Sequence, residues 1–130
     1  MRKYIFGLIL VLGVGCSSSP KQMTLASQPA DISLDELEQY WEMKYESFSF
    51  DSSAEYKNRP KGYVKIRYLI DSTGNVFEPK VVESEPSGVW DDQGMEAIKE
   101  LKYLPSKDNP TKIPVYVTTE FQFKEVLEQR

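Results

Sequence analysis

The clearest hydrophobic pattern in the chain is an alternation of apolar and polar residues in its C-terminal half. Residues 62–70, GYVKIRYLI, place every second side chain on an apolar face: Val64, Ile66, Tyr68 and Ile70. Residues 113–123, IPVYVTTEFQF, continue the same alternation for longer, with polar side chains opposite the apolar ones: Tyr116, Thr118, Glu120 and Gln122. A period of two residues is typical of strands with one buried face, so both segments are predicted strands.

A turn and a second strand follow the first of these segments. Asp71 can bond to its own turn, and Gly74 can adopt positive φ, so DSTGN predicts a chain reversal. Residues 76–84, VFEPKVVES, form the predicted return strand. Pro79 cannot donate a ladder hydrogen bond, which favours a sheet edge or a bulge for this strand.

Two segments have helical spacing. Residues 90–102 place a small and apolar set on one face, namely Gly94, Ala97, Ile98 and Leu101, with Asp91 and Asp92 in the first turn. Gly94 there predicts close approach of this helix to the sheet. An N-terminal helix is predicted from Ser33, which has Glu36 at capping-box spacing. Its apolar residues, Leu34, Leu37, Trp41 and Tyr45, suit packing on the domain's own sheet, and the alternative is a partner-binding face. Residues 46–61 are predicted to be mostly loop.

The first residues have the features of an export signal. Arg2 and Lys3 precede an apolar run to Gly15 that is shorter than the roughly 20 residues of a membrane-spanning helix. Val14, Gly15 and Cys16 resemble the processing box of a bacterial lipoprotein, which implies acylation of Cys16. The alternatives are an ordinary secretory signal or a very short anchor. The domain prediction is therefore a signal peptide over 1–15, a flexible tether over 16–32 and a folded domain over 33–130.

Composition narrows the chemistry that the chain can perform. The chain has 130 residues, no histidine, one cysteine and a net charge of −4. A clustered basic surface for nucleic acid is absent from the sequence, and the usual ligands for transition metals and the commonest general base are missing. Asp71, Thr73 and Asn75 do not complete a calcium loop, because Gly74 is misplaced and the distal glutamate is missing. We therefore expect no enzyme activity, no metal and no cofactor.

The order of these elements resembles the C-terminal domain of the TonB family, over about residues 54–123. The matching residues begin with Gly62 and Val64, continue through Ile70, Asp71, Gly74, Val76, Val82, Ser84 and Pro86, and end with Trp90, Asp91, Ala97, Ile98, Tyr103, Pro105, Phe121 and Phe123. The resemblance implies an α+β fold in which a helix packs on a three-stranded antiparallel sheet with the first strand central. We expect the N-terminal helix to precede this unit.

The resemblance also implies a function. In the family, the edge of the last strand accepts an extended segment of an outer-membrane transporter by strand addition. The corresponding candidate partner-binding residues here are Val115, Tyr116, Val117, Thr118, Thr119, Glu120 and Phe121. The expected partners are an envelope protein such as a TonB-dependent transporter, a membrane through the lipid anchor, and a second copy through the edge strand.

Two departures from the family qualify that function. The chain lacks the N-terminal membrane helix and the long proline-rich spacer of a family transducer, so we expect no coupling to the proton gradient. By analogy with enteric lipoproteins, Ser17 after Cys16 implies sorting to the periplasmic face of the outer membrane, with the inner membrane as the alternative. A different function is a structural or assembly lipoprotein that uses the fold as a scaffold and binds through Trp41, Tyr45 and the loop to Lys61.

Overall fold

The computed structural model describes residues 22–44 and 58–125. The elements in chain order are β1 (Ala30–Asp31), a 3-10 helix (Leu34–Glu36), α1 (Leu37–Tyr40), β2 (Trp41–Met43), β3 (Gly62–Ile70), β4 (Val76–Glu85), α2 (Asp91–Glu100), β5 (Tyr103–Pro105) and β6 (Val115–Phe123). The main sheet has the strand order β1-β6-β3-β4, and β2 pairs with β5 in a second, two-stranded sheet.

Strand β3 is the centre of the main sheet, as predicted. It pairs antiparallel with β4 on one side and with β6 on the other. The predicted apolar faces of β3 and β6 are buried in one core, which contains Val64, Ile66, Tyr68, Ile70, Val115, Val117 and Phe121. The alternating pattern therefore gave the correct buried face of both strands, because each strand has only one face against the helix.

The turn after β3 is held by the carboxylate of Asp71, which is fully buried. One carboxylate oxygen accepts hydrogen bonds from the backbone N–H groups of Thr73 at 3.0 Å and Asn75 at 3.1 Å. Gly74 has φ +84°, which only glycine adopts without strain. The following strand β4 lies at the edge of the sheet, as Pro79 predicted, and its register with β3 shifts between Arg67 and Leu69.

Helix α2 packs on the inner face of the sheet, with Gly94, Ala97 and Ile98 buried as the sequence predicted. A β-carbon built on Gly94 would lie 3.1 Å from a methyl group of Ile66 and 3.1 Å from one of Val64. The absence of a side chain at this position lets the helix axis approach the central strand closely.

The prediction for residues 33–45 was wrong in extent. The 3-10 helix and α1 together end at Tyr40, and Trp41 begins β2. Trp41 is 1% exposed, pairs with Pro105 of β5, and donates a hydrogen bond from Nε1 to the carbonyl of Ile113 at 2.9 Å. Burial of this large ring in an extended conformation outweighs the helical spacing. Tyr45 and residues 46–57 lie outside the described residues. Residues 103–105, for which the sequence predicted no strand, form β5.

Part of the predicted tether is packed on the domain. The backbone N–H of Thr24 donates to the carboxylate of Asp71 at 2.9 Å, and the N–H of Ala26 donates to the hydroxyl of Ser72 at 2.8 Å. Residues Ala30 and Asp31 then form β1, which runs parallel to β6. Residues 24–32, which were predicted as tether, thus contact the domain, and Cys16 lies outside the described residues.

Candidate functional site

The outer side of β6 is the candidate partner-binding edge, and its backbone geometry follows from the pairing on its other side. The carbonyl groups of Pro114 and Tyr116 both point away from β3, because they accept hydrogen bonds from β1 and from Ile32. Backbone groups alternate in direction along a strand. The N–H and C=O groups of Thr118, Glu120 and Gln122 therefore point to the same outer side, and those of the intervening residues point to β3.

The first part of this edge is occupied by the chain itself. The N–H of Ala30 donates to the carbonyl of Pro114 at 2.9 Å, and the N–H of Ile32 donates to the carbonyl of Tyr116 at 3.0 Å. The expectation of an open edge is therefore wrong at Val115 and Tyr116, which pair with Ala30 and Asp31. The physical reason is that the preceding segment buries Ile32 in the core while it satisfies these groups.

The other predicted partner-binding residues fall into two groups: some have side chains that face the core, and others present backbone groups to the outer edge of β6. Val117 is fully buried and Phe121 is 8% exposed, so their side chains belong to the core. Thr119 also faces inward, where its hydroxyl lies 2.9 Å from the Tyr68 hydroxyl. Of the seven predicted residues, Thr118 and Glu120 present backbone groups to the part of the edge that β1 leaves uncovered, and Gln122 extends this set. We call Thr118, Glu120 and Gln122 the open edge.

On the outer face of the sheet beside β1, an arginine contacts both a carboxylate and an aromatic ring. The guanidinium of Arg67 on β3 donates from two nitrogens to the two carboxylate oxygens of Asp31, each at 3.0 Å. It also lies over the ring of Tyr116, 4.7 Å from the ring centroid. Hydrogen bonding to Arg67 lowers the pKa of Asp31, and the same contact raises the pKa of Arg67. Both groups are therefore charged at neutral pH.

A second ion pair lies further along the same face. The ammonium of Lys65 is 2.9 Å from the carboxylate of Glu83, which joins β3 to β4. That contact, together with the nearby Glu120 carboxylate, raises the pKa of Lys65. The side chain of Gln122 donates to Glu120 at 3.1 Å. The open edge is thus bordered on its outer face by polar side chains that a partner strand can meet with polar residues of its own.

A surface pocket of about 360 Å³ lies at the end of the open edge. Its lining residues come from the ends of β3, β4 and β6: Lys61, Gly62, Tyr63, Glu85, Gln122 and Phe123. Next to it, the rings of Phe123 and Trp90 stack with centroids 4.7 Å apart, and the Trp90 indole donates to the carbonyl of Pro60 at 2.8 Å. The pocket gives an added strand an apolar place for one side chain near Gln122.

The opposite edge of the sheet is less suited to strand addition. In β4, Glu78 has positive φ, and Pro79 removes one backbone donor. A bulge and a proline are the usual features that prevent pairing at an edge. The open edge of β6 contains neither of these two features.

Residues 22–44 and 58–125 lack the features of two other kinds of site. This part of the chain contains no group of three metal-ligating side chains. It also contains no helix with the length and apolarity needed to cross a bilayer. The partner-binding alternative that used Trp41 is disfavoured, because this side chain is buried.

The sequence interpretation missed Asp31 and Arg67 as part of this surface. The triplet Ala30, Asp31 and Ile32 does alternate between inward and outward side chains, but three residues are too few for a strand to be distinguished from a tether. The partner of Asp31 also lies two strands away in the sheet, on β3, so no sequence spacing links the two residues.

Comparison with known proteins decides the family. The model of the family described as Gram-negative bacterial TonB protein C-terminal matches residues 52–124, which is more than half of the chain. The chain belongs to the TonB C-terminal domain family. A solution structure of the Pseudomonas aeruginosa TonB C-terminal domain has the same fold, with a TM-score of 0.56 and 22% sequence identity over 75% of this chain and 95% of that chain. The comparison with curated proteins gives no match.

The TonB family assignment confirms the fold and the general class of function. TonB C-terminal domains are interaction domains that commonly bind envelope proteins, and they are not enzymes. The four-stranded arrangement here consists of the predicted three-stranded sheet plus β1. The added strand lies on the edge to which the family resemblance assigns partner binding.

Proposed function

We propose that the chain is an envelope protein-binding module that captures an extended segment of its partner on the open edge of β6. The observation that supports this proposal most directly is the outward direction of the backbone groups of Thr118, Glu120 and Gln122. An added strand would pair with these groups, and its alternate side chains would meet the polar outer face and the apolar inner face. The partner class we propose is an outer-membrane transporter of the TonB-dependent kind.

The magnitudes fit a reversible interaction. A net backbone hydrogen bond contributes about 0.5–1.5 kcal/mol, so a strand pairing with three residues gains a few kcal/mol before the cost of ordering it. Side chains placed in the pocket beside Gln122 and on the outer face must supply the remaining affinity. The partner sequence therefore determines specificity, whereas the backbone pairing determines direction and register.

We also propose that the domain is held at the periplasmic face of the outer membrane by acyl chains on Cys16. Each buried methylene contributes about 0.8 kcal/mol, so two or more chains give stable anchoring. Thr24 is the first described residue that hydrogen-bonds to the domain, so at most residues 17–23 separate the anchor from the fold. At about 3.3–3.6 Å per residue, this linker reaches at most roughly 30 Å, which keeps the open edge near the membrane. Mass analysis of Cys16 in the purified protein tests the anchor, and an unmodified thiol would refute it.

Site-specific crosslinking in cells tests the binding proposal. A photocrosslinking amino acid at Thr118 should capture an outer-membrane transporter, because that position lies on the open edge. The matched control is the same amino acid at Val82, which is 49% exposed on β4 at the other edge of the sheet. Equal capture at both positions, or capture at Val82 alone, would contradict the proposal. A crosslinked homodimer at Thr118 would instead identify a second copy of the chain as the occupant.

A further inference from the structure

The segment that covers the first part of the β6 edge has the geometry of a bound strand. It runs parallel to β6 with Ala30 opposite Val115 and Asp31 opposite Tyr116. Ala30 packs against the core and Ile32 is 8% exposed, whereas Asp31 projects to the outer face. The edge thus holds a triplet of one small residue, one acidic residue and one β-branched residue, with the acidic side chain between the two inward ones.

In this part of the edge, the Arg67 side chain contacts the strand that pairs with β6, so recognition is not limited to backbone hydrogen bonds. Two guanidinium nitrogens of Arg67 donate to the two carboxylate oxygens of Asp31. A side-chain amide in place of Asp31 has only one oxygen to accept, and a lysine ammonium in place of Arg67 cannot form the planar two-nitrogen contact. The contact of the Arg67 guanidinium with the Tyr116 ring holds the fork in place from β6. Asp31 reaches Arg67 across β6, so any strand in the position of β1 would present its outward side chain to the same guanidinium.

The pairing of β1 is short. It consists of two residue pairs, and the chain leaves the edge after Ile32 to form the 3-10 helix at Leu34. A partner strand that also pairs with Thr118, Glu120 and Gln122 would make more backbone hydrogen bonds than β1 does. It can extend over Tyr116 only if β1 leaves.

From these contacts we propose that Arg67 makes the β6 edge selective for a parallel extended segment with an acidic residue, and that Ala30–Ile32 is a resident occupant which this partner segment displaces. The inference rests on the proposed function, since both concern strand addition to β6. It adds the chemistry of the partner: an acidic side chain opposite Tyr116, flanked by small or β-branched residues that face the core.

The test uses a fluorescent synthetic peptide that copies residues 24–32, TLASQPADI, added to the purified full chain in mild detergent. In the unmodified chain, the resident segment competes with the peptide and weakens its apparent affinity. Asp31→Ala removes the ion pair of the resident segment, and we expect the peptide to bind up to about fivefold more tightly. Lys99→Ala is the matched control: it removes an exposed ion pair with Glu96 on α2, so the affinity should stay unchanged.

A charge reversal makes the test specific for Arg67. In the Arg67→Asp chain, a second peptide with arginine at the Asp31 position should bind about tenfold more tightly than the native peptide. The new carboxylate on β3 attracts the arginine of the second peptide and repels the aspartate of the native one. Amide hydrogen exchange of Ala30 and Ile32 should accelerate in the Asp31→Ala chain and on addition of the native peptide, while amides of α2 keep their rates. The exchange rates also show that each variant is folded.

Each outcome separates the inference from the proposed function. A reversed preference between the two peptides, together with faster amide exchange of Ala30 and Ile32, supports the inference. Crosslinking at Thr118 that captures no envelope protein would refute the proposed function and leave the inference standing. Peptide binding with no change of preference in the Arg67→Asp chain would overturn selection by Arg67 and leave strand addition intact. Unchanged affinity and unchanged exchange of Ala30 and Ile32 in the Asp31→Ala chain would overturn displacement of the resident segment.

Discussion

The hydroxyl oxygens of Tyr68 and Tyr103 lie 2.6 Å apart inside the protein and join the main sheet to the two-stranded sheet. Tyr68 belongs to β3 and Tyr103 to β5, and their side chains are buried. The Tyr68 hydroxyl also lies 2.9 Å from the Thr119 hydroxyl. This chain of three hydroxyl groups satisfies polar atoms that would otherwise be costly to bury, and it links the core to the strand that carries the open edge.

The position of Tyr68 in the middle of this chain gives an ordered prediction for two conservative mutations. Tyr68→Phe should reduce the free energy of unfolding by about 2 kcal/mol, because the buried Tyr103 hydroxyl loses its Tyr68 partner. Tyr103→Phe should cost about 1 kcal/mol, because Tyr68 keeps Thr119. Urea unfolding of both variants measures the difference, with Tyr116→Phe on the outer face as a control. The reverse order would contradict the role assigned to Tyr68.

The same pair predicts instability in alkaline solution. Burial raises the pKa of the Tyr68 and Tyr103 hydroxyl groups above their ordinary value of 10. In the unfolded chain both groups ionise near pH 10, so the unfolded state releases protons there that the folded state keeps. Stability contributed by the neutral hydroxyls is thus full below pH 10 and falls as the pH rises above it.

Absorbance of tyrosinate measures this effect. Tyr68 and Tyr103 should remain un-ionised until the protein unfolds, and their titration should coincide with loss of the circular dichroism signal. The Tyr68→Phe, Tyr103→Phe double variant should show a smaller fall in stability between pH 9 and pH 11, relative to its own value at pH 8. Full titration of all tyrosines in the folded protein would contradict this prediction.

Two glycines should respond very differently to alanine. A β-carbon on Gly94 would lie 3.2 Å from the Val64 β-carbon, an atom fixed by the central strand. The overpacking of about 1–3 kcal/mol should exceed the helix-propensity gain of about 1 kcal/mol, so Gly94→Ala should be mildly destabilising. A β-carbon on Gly62 would overlap the Glu85 carbonyl oxygen and lie 2.7 Å from a Trp90 ring carbon.

Thermal unfolding of both variants tests the comparison. Gly62→Ala should lower the melting temperature more than Gly94→Ala. The added β-carbon at residue 62 meets the backbone carbonyl of Glu85, which must move, whereas the atoms nearest to the one at residue 94 belong to side chains. Gly88→Ala is the control for positive φ without crowding, since no atom of the described residues other than its chain neighbours lies within 4 Å of its added β-carbon. A Gly94→Ala protein more stable than the parent would show that the helix can shift away from Val64.

The elements that the sequence predicted well are those whose pattern repeats over many residues. Val64, Ile66 and Tyr68 on β3 fixed both the strand and its buried face, and Gly94 indicated the approach of α2. Trp41 was misassigned because its helical spacing from Leu37 is local, whereas its burial depends on pairing with Pro105, far along the chain. Likewise, the occupied part of the β6 edge depends on a contact between Ala30 and Pro114 that no local pattern contains.

The direction of the backbone along β6 gives a final prediction, based on proline substitution at adjacent positions. The N–H of Thr118 points to the open edge, so Thr118→Pro removes a donor that the fold does not need, and the cost should be below about 1 kcal/mol. The N–H of Thr119 points to β3, where Thr119 pairs with Ile66. Thr119→Pro should therefore cost about 3 kcal/mol or more.

Thr118→Val and Thr119→Val are the controls, since they remove each hydroxyl and keep each N–H. Thermal unfolding should place Thr118→Pro near Thr118→Val, and Thr119→Pro far below Thr119→Val. With a photocrosslinker at Glu120, the Thr118→Pro chain should remain folded and capture less partner, because one backbone donor of the open edge is gone. Undiminished capture would show that the partner does not pair at Thr118, and equal destabilisation by both prolines would show that the two N–H groups do not alternate in direction.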